Sequence, residues 1–168
     1  MVDDRSLKLS DVAALIDMPL ARLRTMRARG QTAMWDTDMG EARGEGTERG
    51  WREYSITDAV SLACVLELIE RGLNADVAAS IVAGCRRFLY DANHPRVASR
   101  VDIFIGRLWF LDGEFHVGGP FCDLLIDIER RVRADIRDFD LGGGSSVLLV
   151  NASNHHRRIM EKLKNADL

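Results

Sequence analysis

KLSDVAALIDMPLARLRTMRARG, residues 8–30, and GWREYSITDAV, residues 50–60, carry the organisation of the first half of this 168-residue chain. Ser10 has the short hydroxyl that caps the free amides of a first helical turn, and behind it Val12, Ala13, Leu15 and Ile16 put apolar groups on one face. Met18 and Pro19 break that register. Pro19 suits the opening of a second helix, where its missing amide hydrogen would have no partner anyway. In that helix Leu20, Leu23 and Met26 are expected to face inward, while Arg22, Arg24, Arg27 and Arg29 fill the remaining positions with no acid between Pro19 and Gly30. A surface helix ordinarily mixes signs. The bland account is a solvated polar face; the sharper one is a face built for anions.

Two short helices around a tight turn, followed by a glycine-rich stretch and then by GWREYSITDAV, read as a winged helix-turn-helix over residues 8 to 54. A helix rich in arginine after a tight turn suits the major groove, where guanidinium groups fork onto guanine O6 and N7 or clamp phosphates.

These residues resemble the MerR-type winged-helix family. The likeness rests on Val12-Ala13 in the first helix, Leu23-Arg24 in the second, and Gly50-Trp51-Arg52-Glu53-Tyr54-Ser55 at the close of the wing. It extends through Thr57-Asp58-Ala59-Val60 and the Gly72-Leu73-Asn74 turn, and covers roughly the first half of the chain. It implies a DNA contact from Arg24 and phosphate contacts from Arg52 and Tyr54; Arg22 and Arg27 join them on charge alone. Thr25 and Met26 stand where family members carry aromatic residues, and Arg27 where an acid is common, so base preference does not carry over.

Between Gln31 and Gly50, Gly40, Gly44 and Gly46 alternate with Asp36, Asp38, Glu41, Glu45 and Glu48, which reads as a long wing tip. Only Arg43 and Arg49 oppose those acids, so the tip is a poor phosphate binder and is expected to stay solvated or to meet a partner. Ser55 and Asp58 resemble a capping box for a third helix that runs to a stop at Gly72. Asn74 is expected to cap a fourth, with Val77, Ala78, Ile81, Val82, Cys85, Phe88 and Leu89 as one buried stripe and Arg86 and Arg87 near its end.

A content of 46% hydrophobic and 29% charged residues fits a globular chain, and a formal charge of -3 argues against a protein that coats DNA nonspecifically while permitting a focused basic face. No apolar run approaches the length of a membrane span, and the start of the chain lacks the apolar core of a signal peptide, so a cytoplasmic protein is expected. Cys64, Cys85 and Cys122 lie far apart within apolar helical patterns, which favours buried reduced thiols. No metal or other cofactor is expected. The histidines His94, His116, His155 and His156 and the cysteines lack chelating spacing.

At Asp91-Ala92-Asn93-His94-Pro95 the helical pattern stops, and no sustained heptads follow that would support a long dimerisation helix. Residues 101–105 and 107–111 then look like two strands, with Asp112-Gly113 as a hairpin turn into Glu114–Val117. Phe121, Leu124, Leu125, Ile128, Val132 and Ile136 recur at helical spacing after Pro120. Beyond Gly142-Gly143-Gly144, which precedes a strand and therefore does not match a phosphate-binding loop, Val147–Val150 is a short apolar strand. A last helix, capped by Asn151 or Ser153, bears Ile159, Met160 and Leu163.

The sequence therefore predicts an α+β chain: a winged helix-turn-helix domain over 1–92 and a small α/β dimerisation or effector domain over 96–168. The expected function is a sequence-specific DNA-binding transcriptional regulator, homodimeric through its C-terminal domain, with a small-molecule or protein effector as a further partner and no membrane. Alternatives are an excisionase-like architectural factor and a protein-interaction adaptor. An enzyme ranks last because no nucleophile, base and acid assemble.

Overall fold

In the computed structural model the described residues are 6–34, 54–94, 97, 100–110, 113–138 and 146–165. The expected wing tip lies outside them, as do Gly50 to Glu53 and the triple glycine. The described residues form seven helices and a three-stranded antiparallel sheet, an α+β architecture. In order these are α1 (Leu9–Leu15), α2 (Leu20–Ala28), α3 (Ile56–Glu70), α4 (Ala75–Gly84), α5 (Arg86–Asn93), β1 (Ile103–Phe110), β2 (Gly113–Pro120), α6 (Phe121–Asp138), β3 (Ser146–Asn151) and α7 (Ala152–Asn165). Among the described residues no helix is long and apolar enough to cross a membrane.

Helix α3 is the centre. From Ile56 to Val65 every residue is buried, including Thr57, Asp58 and Ser61. A helix apolar on all sides must be covered on all sides, and α3 is packed by α4, α5, α7 and β3. Its polar groups are satisfied within this packing: Ser61 Oγ donates to the Thr57 carbonyl at 2.7 Å, and the buried Asn93 amide donates to Thr57 Oγ1 at 2.7 Å. The expected capping box is present, with the Asp58 amide donating to Ser55 Oγ at 3.1 Å and the Ser55 amide to Asp58 Oδ2 at 2.8 Å. Gly72, at φ 98°, follows the end of α3, and Asn74 Oδ1 accepts from the Val77 amide at 2.8 Å to start α4. One buried cluster runs from Leu7 to Leu163, so the helical first half and the strand-containing second half share a core across the break at 93–96.

Several local expectations shift. Helix α1 begins at Leu9 with Lys8 as its cap residue, not Ser10, because the Asp11 carboxylate accepts from the Lys8 amide at 2.8 Å. The single stripe expected from Val77 to Leu89 is two helices. Cys85 ends α4 and begins α5, and its Sγ donates to the Val117 carbonyl at 3.2 Å and the Gly106 carbonyl at 3.5 Å. Strands β1 and β2 thus press on the break itself. Burial holds the Cys85 thiol up at about 11. Arg86 and Arg87 consequently open α5 rather than close a helix, and Arg87 lies over the Phe88 ring at 4.4 Å.

The two strands expected over 101–105 and 107–111 are one, continuous through Gly106, with β2 and β3 on either side in the order β2-β1-β3. Phe110 pairs with Gly113 and Ile105 with both Gly118 and Val150. Ile103, Ile105 and Val150 point into the shared core, while Phe104 faces the other side and meets the Phe121 ring of α6 at 5.2 Å. Leu124 of α6 is buried, but Phe121, Leu125 and Ile126 are exposed. Cys122 is exposed as well, against the buried thiol that its apolar neighbours suggest. At the base of the sheet Asp102 accepts from Arg157 Nη1 and Nη2 at 2.5 and 3.1 Å and from the Asn151 amide at 2.9 Å, tying β3 and α7 to the residue before β1.

A methyl group at Gly106 would collide with the Leu148 backbone carbonyl of β3. Gly106→Ala is therefore expected to destabilise by about 1–3 kcal/mol or more, since backbone cannot rotate away as a side chain can; a urea midpoint equal to that of the parent would contradict it. The Arg157 guanidinium and Asn151 amide hold the Asp102 carboxyl down at about 2, below its unfolded value of about 3.9. The stability this adds is complete above about pH 4 and is lost as pH falls toward 2. Denaturant melts of Asp102→Asn should therefore show a deficit at pH 6 that shrinks over that window.

Candidate nucleic-acid interface

Helix α2 follows α1 through a turn at Ile16–Pro19 in which Asp17 takes φ 56°. The Leu23 amide donates to the Pro19 carbonyl at 3.1 Å, so Pro19 stands just outside the helix it opens. Leu23 and Met26 are buried and hold α2 on the core.

At about 100° per residue, the face opposite Leu23 and Met26 has Ala21, Thr25 and Ala28 at its centre. All three are exposed and small, and Thr25 turns its hydroxyl back to the Ala21 carbonyl at 3.0 Å. Arg24 stands on one flank; Arg22 and Arg29, seven residues apart, stand on the other. Arg22, Arg24 and Arg29 are exposed, and among the described residues none of them has an ion-pair partner. A low ridge between guanidinium groups can approach a concave polyanionic surface closely while cations reach both walls.

Among the described residues, three acids of the neighbouring elements, Asp17, Asp76 and Asp11, are engaged elsewhere. Lys162 Nζ meets Asp17 Oδ2 at 2.5 Å, and that contact keeps the Asp17 carboxyl below its ordinary range. Asp76 accepts from the Gln31 amide at 3.0 Å, fixing the chain just beyond α2 to the start of α4. Asp11 is held by the Lys8 amide.

The structure brings together Arg22, Arg24 and Arg27 on α2 but gives Arg27 and Tyr54 different surroundings from those expected. Tyr54 is 2% exposed, and its backbone pairs with Leu7 through two 2.8 Å hydrogen bonds. Its ring lies under the Arg27 guanidinium, 5.6 Å from the centroid, and Arg27 is only partly exposed. With its hydroxyl buried, Tyr54 packs the junction between the start of the chain and α3 and presents no atom to a phosphate. Arg52 lies outside the described residues. Arg29 belongs with the exposed set although the sequence reading assigns it no contact; its seven-residue spacing from Arg22 is the signal that points to it.

No family model matches this chain, and no curated protein matches it.

Tyr54→Ala is expected to cost about 3–5 kcal/mol of global stability, the range for removing a buried aromatic ring. Arg24→Ala, at an exposed position with no ion-pair partner among the described residues, should leave the same denaturation midpoint within error. Equal effects of the two substitutions would contradict the division between packing and surface roles.

Proposed function

We propose that this chain is a sequence-specific DNA-binding transcriptional regulator that reads duplex DNA through α2 in a MerR-like winged arrangement and acts as a homodimer joined through its C-terminal half. The observation that carries this reading is the outer face of α2: small residues along its crest, Arg24 on one side, Arg22 and Arg29 on the other, and no acid in the helix. A major groove is deep and wide enough for a helix whose crest is low, and its edges are lined by phosphates. Arg24 is assigned to base or adjacent phosphate contact, Arg22 and Arg29 to the opposite strand's backbone, and Arg27 to bracing α2 against Tyr54 with its guanidinium edge toward the DNA.

An overall charge of -3 fits this assignment, because a basic face on an acidic body loses affinity for random polyanions and keeps it where the shape matches. The excisionase-like alternative draws on one observation: α5 ends after eight residues at Asn93, so among the described residues it does not continue into a long dimer helix. Strong bending of DNA at recombination sites would favour it over promoter binding.

The test is selection of preferred duplexes by the full chain, followed by fluorescence anisotropy on the selected site over a salt series. Arg24→Ala is expected to weaken specific binding by about 1–3 kcal/mol. Loss of a phosphate contact would also lower the salt slope by about 1. Selection that yields no preferred sequence, or selected-site affinity that Arg24→Ala leaves unchanged, would overturn the proposal and leave the adaptor reading in its place.

A further inference from the structure

The two edges of the sheet are built differently. The free edge of β2 carries the charged Glu114, the left-handed Gly119 at φ 143°, and Pro120, which has no amide hydrogen to offer. Charges, a distorted backbone and proline are the devices that keep a strand from pairing with another chain. The opposite edge, β3, has none of them. Its sequence is Ser146-Val147-Leu148-Leu149-Val150-Asn151. It pairs with β1 on one side, and among the described residues nothing pairs with the other, so about half of its backbone amides and carbonyls point outward.

The side chains point the same way. Val150 is 1% exposed, but Val147, on the face of the sheet where α6 packs against β2 and β1, is 42% exposed. An apolar, uncharged, proline-free edge of this length is a hazard unless something covers it. A row of outward backbone amides and carbonyls is paired most completely by another strand.

We propose that β3 is a dimer seam: the strand pairs antiparallel with β3 of a second copy of this chain and extends the sheet to six strands. This rests on the homodimer part of the proposed function and specifies its interface. Three features favour a second copy over an unrelated strand. The segment is neutral, so self-pairing sets no like charges opposite one another. Its core, Val-Leu-Leu-Val, is apolar at four consecutive positions, so a second copy supplies apolar partners for it. And a two-fold axis normal to the sheet keeps each side chain on its own face, so residues of equal parity must oppose each other, which leaves two central registers. One sets Val147 opposite Asn151, whose amide is committed to Asp102. The other sets Val147 opposite Leu149, Leu148 opposite its own counterpart and Val150 opposite Ser146, leaves Asn151 outside the pairing, and is the register assigned here.

The test uses the full chain without DNA. Sedimentation should give a dimer, and Val147→Lys, at an exposed position that leaves the core untouched, should raise the dissociation constant about tenfold, as loss of two symmetric cross-strand pairs implies, with a melting temperature equal to that of the parent at concentrations where both chains are monomeric. In a Cys122→Ser background, Val147→Cys and Leu149→Cys chains should form an interchain disulfide when mixed and oxidised, and far less when either is oxidised alone, because only directly opposed Cβ atoms come close enough. A wild-type chain that is monomeric at every concentration tested, or a dimer indifferent to Val147→Lys that gives no mixed disulfide, would overturn the seam. Capture of a foreign peptide by a monomeric chain would do so as well. Since DNA is absent, these outcomes are independent of whether Arg24→Ala affects DNA binding.

Discussion

Burial of α3 on every side is the constraint from which the rest of the structure follows. Residues Ala59 to Val65 have no exposed face, so no single layer of neighbours can satisfy them. Helices α4 and α5 cover one part, and α7 and β3, from the far end of the chain, cover another. The polar residues in the first turns of α3 are tolerated because each is tied locally: Asp58 to Ser55, Ser61 to the Thr57 carbonyl, and Thr57 to Asn93. Removing one partner of such a pair would leave a buried polar atom to bear its desolvation cost alone.

The same constraint explains the position of the sheet. Its inner face, with Ile103, Ile105 and Val150, completes the cover over α5, α7 and α3. Where the strands reach the helices most closely, side chains shrink to glycine: Gly84 faces the His116 ring and Gly118 the Phe88 ring, while within the sheet Gly106 faces the Leu148 carbonyl. Among the described residues the outer face is covered by α6, and the exposed Phe121, Leu125 and Ile126 show how much less that side is closed.

Features set by neighbours in sequence are legible in the residues themselves. Ser55 with Asp58, Gly72, Asn74 and Asn151 act within a few residues of their own positions, and each occupies the boundary its chemistry suits; Asn151 Oδ1 accepts from the Asn154 amide at 2.9 Å to start α7. Features set by distant parts of the chain are not. The break at Cys85 depends on carbonyls more than twenty residues away. Tyr54, which in a string of letters looks like a polar-tipped aromatic beside a wing, is buried because Leu7 returns to pair with it. The arginines of α2 are visible as charge, but their division into two flanks around Ala21, Thr25 and Ala28 needs Leu23 and Met26 to be placed in the core first.

The reach of α7 links these levels. It begins directly after β3, and along its length His155 Nε2 meets Glu67 of α3 at 2.6 Å, Ile159 and Leu163 enter the core, and Lys162 meets Asp17 in the turn before α2. Energetically the last contact counts for little, since Asp17 is 74% exposed and surface ion pairs contribute little to stability. Its value is positional. One end of α2 is linked through Asp17 to α7 and the other through Gln31 to Asp76 of α4, while the buried Leu23 and Met26 seat it on the common core. In a regulator that binds as a pair, the distance between the two reading helices sets the spacing of half-sites. With β3 as the seam, that distance would be set by strand, α7 and turn in series, a path with no flexible linker among its described residues.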